Sequence, residues 1–185
     1  MAAMVRCKAC GYIMREDRVG TVCPACGLKA KVFEPHSLRI SDRRKMLLDL
    51  DAHPILVHFP QTFASILPPL VVFHVLFPKL YGPELAHLII FTSLALPLTC
   101  LGAIASGLFD GRLKVKKLTT PALKQKIAVG LVMLALATAN GLIVLLWGFA
   151  DTHSYVLILS IGCLICAVLL GMMGKKLIPV LLLGK

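Results

Sequence analysis

Four long apolar runs, each broken by only a few polar positions, occupy most of the chain beyond residue 52, at about 55–77, 85–109, 127–149 and 155–173. Each reaches the roughly 20 residues that a helix needs to cross the hydrocarbon core of a bilayer. Lipid offers no partner to an open backbone group, so the runs are predicted as helices and not strands. Pro60, Pro68 and Pro69 interrupt the first run and Pro97 the second. Kinks are expected there, with the freed carbonyls met by neighbouring helices or water. Ahead of the helices, residues 1–35 hold no long apolar run. Residues 36–52 mix leucines with basic residues, and Ser41 is placed to cap a short amphipathic helix over 42–48, lying at the membrane interface. The chain is therefore divided into a head (1–35), a juxtamembrane linker (36–52), a four-transmembrane-helix domain (53–176) and a cytoplasmic tail (177–185).

Composition agrees with this plan. Hydrophobic residues make up 58% of the 185, and mean hydropathy is +0.85, far above an ordinary globular chain. Charge changes the picture more. A formal net charge of +11 would suit nucleic acid, but the head carries only six Lys/Arg against three Asp/Glu. The excess lies beside the spans: four basic residues in the linker, six in the 110–126 loop (Arg112, Lys114, Lys116, Lys117, Lys124, Lys126) and three near the C-terminus. The two opposite connections hold Lys79 alone. The positive-inside rule then places both termini and the basic loop in the cytoplasm. No nucleic-acid partner is expected; the partner is the lipid bilayer. The first residues are not read as a signal peptide, because cysteines begin before any apolar stretch.

The strongest chemical signal is Cys7-Lys8-Ala9-Cys10 followed, after twelve residues, by Cys23-Pro24-Ala25-Cys26, each pair trailed by a glycine, Gly11 and Gly27. Such a turn aims two sulfurs at one point, and the glycine lets backbone N–H groups curl toward them. Two of these knuckles make a tetrahedral sulfur site that suits zinc or a single iron. Without a signal sequence the cysteines read as ligands and not disulfides, in a reducing compartment. A head of this size cannot fold on burial alone, so its metal supplies much of the folding free energy. Tyr12, Ile13, Val22, Leu28, Val32 and Phe33 are the apolar residues expected to cover the site. Cys100, Cys163 and Cys166 lie within the spans and read as small buried hydrophobes.

Five of the six histidines belong to the membrane part. His53 and His58 stand at the cytoplasmic mouth of the first span, and His74, His87 and His153 toward the outer face. Ionisable groups at membrane depth are costly and are functional candidates. His74 with His87 or His153, or an inner pair involving His58, could hold haem b or another metal. The other reading leaves them hydrogen-bonded in the headgroup zone. Asp110 is expected at a depth comparable to His58, where the two would handle a proton or simply pair helices. There is no nucleotide-binding loop and no nucleophile–base pair, so no catalytic residue is assigned.

Two resemblances add to this. The head, through Val5-Arg6-Cys7-Lys8-Ala9-Cys10-Gly11-Tyr12-Ile13, Cys23-Pro24-Ala25-Cys26-Gly27 and Lys31-Val32-Phe33-Glu34, resembles the rubredoxin-like domain of rubrerythrins. That implies a small β-ribbon head holding one iron on Cys7, Cys10, Cys23 and Cys26, joined to an all-α transmembrane four-helix bundle. The membrane part is similar to a bacterial four-helix family of unknown function, through His53-Pro54-Ile55-Leu56-Val57-His58-Phe59-Pro60 and Gly107-Leu108-Phe109-Asp110. Together they imply a bacterial inner-membrane electron-transfer protein with its iron centre in the cytoplasm, exchanging electrons with a soluble or membrane redox partner, a quinone or a haem. A zinc ribbon that docks a cytoplasmic partner, and a transporter gated by the head, are the rival readings.

Overall fold

A computed structural model describes residues 4–36, 52–114 and 121–175. The linker helix expected over 42–48, the middle of the basic loop and the C-terminal tail lie outside these residues. The described residues form two compact units, one of 4–36, 52–53, 106–114, 121–128 and 171–175 and the other of 54–105 and 129–170.

The head is a three-stranded antiparallel sheet of order β2-β1-β3, with β1 at Met4–Cys7, β2 at Ile13–Arg15 and β3 at Phe33–Pro35. β1 pairs Val5 with Met14 on one side and Arg6 with Glu34 on the other. Strand side chains alternate between faces, so Val5 and Cys7 point inward together while Met4 and Arg6 are partly exposed. The core is Val5, Tyr12, Met14, Ala25 and the cysteines, with Val19, Val32 and Phe33 packed against it. This corrects the expected cover of the site. Val22 and Leu28 are nearly half exposed, 47% and 46%, and Val5 and Met14 take their place. The period-two alternation of Val5-Arg6-Cys7 and Tyr12-Ile13-Met14 carried that signal.

The four apolar runs are helices: α1 at Ala52–Leu76, α2 at Gly82–Lys114, α3 at Pro121–Trp147 and α4 at His153–Lys175. All four are long and apolar enough to cross a membrane. Their ends follow chain chemistry. Gly148, with φ +77°, terminates α3 through an N–H bond to the Val144 carbonyl, the left-handed cap that glycine adopts at least cost. α2 and α3 run past the apolar stretches into the basic loop, where Arg112 and Lys124 are exposed.

All four helices contribute to one core, which includes Leu67 and Val71 from α1, Leu96 and Cys100 from α2, Ala137 and Val144 from α3, and Val156 and Cys163 from α4. Beside this apolar core the unit buries a few polar residues and exposes large apolar ones. Thr92, Ser93, Asn140 and Ser160 are buried, while Leu98 is 69% exposed and Ile158 67%. Lipid is as apolar as leucine, so outward leucines cost nothing there and inward polar groups hold helices together.

Candidate metal centre

The site is built by two hairpin turns of one design. In the first, the Cys7 N–H donates to the Tyr12 carbonyl at 2.7 Å and the Gly11 N–H to the Cys7 carbonyl at 2.8 Å. In the second, the Cys23 N–H donates to the Leu28 carbonyl at 2.6 Å and the Gly27 N–H to the Cys23 carbonyl at 2.8 Å. Gly11 and Gly27 have φ of +77° and +75°, where a Cβ would strain the backbone. An isolated bridge between Val22 and Lys29 closes the second turn.

The two turns bring all four thiols to one point. Every Sγ of Cys7, Cys10, Cys23 and Cys26 lies within 4.8 Å of the others. Cys7 and Cys26 are 3.8 Å apart, as are Cys10 and Cys23. A tetrahedron of sulfurs around an ion with metal–sulfur bonds of about 2.3 Å has an edge of about 3.8 Å, so the donor set fits a single zinc or iron. Among the described residues this is the one group of three or more His, Cys, Asp or Glu side chains whose ligand atoms converge.

The electrostatics call for a bound cation. Burial pushes the Cys10 and Cys23 thiols up, Cys23 to about 11, against the pull of backbone N–H groups from Tyr12 and from Cys26 and Ala25 respectively. Burial opposes the Cys7 thiolate too, but there the N–H groups of Cys10 and Ala9 prevail and hold it below its ordinary range. Four clustered thiols do not ionise together without a compensating cation; a bound metal provides it and displaces their protons.

Tyr12 covers the site. Its ring is buried and its hydroxyl has no hydrogen-bond partner. Burial, reinforced by the charge of Cys23 and Cys10, pushes that phenol well above its usual range. A buried hydroxyl without a partner carries a desolvation cost, so Tyr12→Phe is expected to keep full metal content and to unfold no earlier than the parent, as read by thermal loss of bound metal.

Arg6 bonds Glu34 at 2.8 Å and Lys8 lies 3.9 Å from it, tying β1 to β3. The hydrogen bond from Arg6 holds the Glu34 carboxyl below the usual carboxylate range. A carboxyl depressed in the folded state stabilises it above the unfolded value, and that contribution disappears as pH falls through the folded value. Glu34→Gln is expected to lower the head's thermal midpoint slightly at neutral pH, because the pair is partly exposed and screened by solvent. The difference from the parent vanishes on acidification.

The histidines are placed differently from one another. His53, at the start of α1, has Nδ1 3.0 Å from Ser106 Oγ. Its ring lies against Gly107, where a Cβ would stand 2.9 Å from Cε1, and Asp110 is half-buried one turn further along α2. His58 is exposed and turns back on its own helix, Nδ1 donating to the Pro54 carbonyl at 2.5 Å. His74 meets Phe149 edge-on with 5.1 Å between ring centroids, and its Nδ1 is buried without a partner. His153 Nδ1 donates to the Ala150 carbonyl at 3.1 Å, and His87 is exposed. No described contact joins His74, His87 and His153, and nothing here supports haem. Cys100, Cys163 and Cys166 are buried in the helical core, as expected of small apolar side chains.

Residues 6–34 match the family described as "Rubrerythrin, rubredoxin-like domain". No curated protein and no solved structure matches the chain. Sequence match and site geometry coincide on the same residues, and the head is a rubredoxin-like metal-binding domain joined to four helices long and apolar enough to cross a membrane.

Proposed function

We propose that the protein is a membrane-anchored one-electron carrier whose head holds a single iron on Cys7, Cys10, Cys23 and Cys26. The observation that carries this reading is the coincidence of the rubredoxin-like match with a four-sulfur cluster of tetrahedral edge length. Iron held by four thiolates supplies exchange of one electron between its ferrous and ferric states. The chain's own part is to bury the sulfurs and aim backbone N–H groups at them, from Ala9 and Cys10 at Cys7 and from Ala25 and Cys26 at Cys23. Those dipoles stabilise the more negative, reduced state and so raise its potential.

The excess of Lys and Arg in the linker, the 110–126 loop and the C-terminal region supports a bacterial inner-membrane location with the head in the cytoplasm. There the head would meet a soluble or membrane-bound redox partner, or a quinone at the helices. The division into head, linker, helical domain and tail belongs to the same reading. Zinc uses the same ligands, and with zinc the head would be a docking module. A visible spectrum of the full chain in its native membrane separates the two. Thiolate-to-ferric absorption that bleaches on reduction and returns in air is expected; a colourless protein with one bound zinc overturns the iron assignment.

A further inference from the structure

The helical unit holds one arrangement that neither metal chemistry nor ordinary packing accounts for. Pro97 lies inside α2. It has no N–H, so the carbonyl four residues earlier, that of Ser93, loses its helical donor. That oxygen faces α3, where a Cβ built on Gly141 would come within 3.1 Å of it. Glycine therefore lets α3 close on the opened turn, but offers the oxygen only a Cα–H, a weak donor.

Beside Gly141 stands Asn140, fully buried like Ser93. Its Nδ2 is 3.4 Å from Ser93 Oγ, and its Oδ1 is buried with no partner. Turning the amide over exchanges the two atoms but still leaves one of them unpaired. Asn140 is seven residues before the end of α3 at Trp147, about 10 Å along the helix axis. The cluster thus sits within the apolar span, where an unsatisfied polar group is at its most costly. The Ser93 carbonyl, whose helical donor Pro97 removes, and the unpartnered Asn140 amide oxygen stand on facing helices and call for the same thing: a small molecule that donates two hydrogen bonds.

We propose that a single buried water occupies this position, donating to the Ser93 carbonyl and to the Asn140 amide oxygen, and accepting from Ser93 Oγ. It joins α2 to α3 beside Pro97. Water matches the site in valence, since buried waters take two to four polar partners. A metal cation would want about six oxygens, more than these two residues bring. Complete burial of both residues excludes anything as large as a quinone ring. The inference is independent of the metal in the head.

The test is a double-mutant cycle on the full chain in lipid nanodiscs, read by the thermal unfolding midpoint of the helices. Asn140→Leu, close in volume, is expected to lower the midpoint by roughly 5 °C, because the water and both its bonds are lost. Pro97→Ala restores an N–H to the Ser93 carbonyl. In that background the same substitution should lose most of its effect, although residues 97 and 140 are not themselves hydrogen-bonded. A midpoint raised or unchanged by Asn140→Leu, or an equal loss in both backgrounds, overturns the proposal. Should either variant fail to fold, water-edited solid-state NMR of the parent decides. Magnetisation from water is expected to reach the Asn140 side-chain amide well before it reaches fully buried Leu96. Equal build-up at the two sites contradicts a bound water.

Discussion

Cys23→Ala is expected to abolish stoichiometric metal binding and to unfold the head while leaving the four helices intact. Cys23 is buried, its Sγ 3.8 Å from that of Cys10 and surrounded by the N–H groups of its own turn. Structural four-thiolate sites return on the order of 10 kcal/mol of folding free energy on binding. A domain this small has too little apolar surface to replace that term. With one ligand gone, the three remaining sulfurs lose closed tetrahedral coordination and the free energy it brought. Metal content is expected to drop at least tenfold, and the head should become sensitive to protease under conditions where the parent resists. Cys163→Ala and Cys100→Ala serve as contrasts. Both side chains lie in the helical core, so these changes leave metal content at the parent level and cost only the stability of a small cavity.

Gly141→Leu is expected to be the most damaging single change in the helical unit. The carbonyl oxygen of Ser93 stands 3.1 Å from the position a Cβ would take there, with Leu94 and Pro97 at 3.8 Å. Backbone cannot swing aside as a side chain can, so α3 must retreat from α2. That separation opens the contacts of Ala137, Asn140 and Val144, all buried near the same helix. Overpacking of this kind costs about 1–3 kcal/mol, and the effect should grow through Ala, Val and Leu as measured by thermal unfolding in lipid. Gly130→Ala, which meets only the flexible Ile104 side chain at 3.7 Å, should be near neutral. A flat series at residue 141 would mean that the two helices do not approach there.

The parts of the fold governed by spacing along the chain are legible in the sequence. Two knuckles of two cysteines each, with a glycine after each pair, specify a sulfur cluster wherever the turns can meet. Runs of twenty and more apolar residues specify spanning helices. What depended on rotation about a helix axis was not legible. His58 was the histidine singled out at the mouth of α1, yet it bonds the Pro54 carbonyl of its own helix. His53, five residues earlier, packs on Gly107 and bonds Ser106. One residue of register changes a side chain's direction by about 100°, and hydropathy is blind to that in a helix that is apolar all round. Asn140 and Ser93 passed unremarked for the same reason. A lone amide in an apolar run gives no sign of which neighbour it faces. In the head, the aromatic and aliphatic cover was misassigned at Val22 and Leu28 because they flank the knuckle in sequence, whereas strand alternation turns Val5 and Met14 toward the sulfurs.

The central claim is that the head carries a redox-active iron, and electron paramagnetic resonance combined with metal analysis tests it most directly. Full-length protein purified from iron-sufficient cells should hold one iron per chain. In its oxidised form it should give a high-spin ferric signal integrating to one centre per chain. That signal should vanish on one-electron reduction, return on reoxidation, and be missing from Cys23→Ala. One zinc per chain with no ferric signal, persisting after refolding with iron as the only metal supplied, would contradict the account.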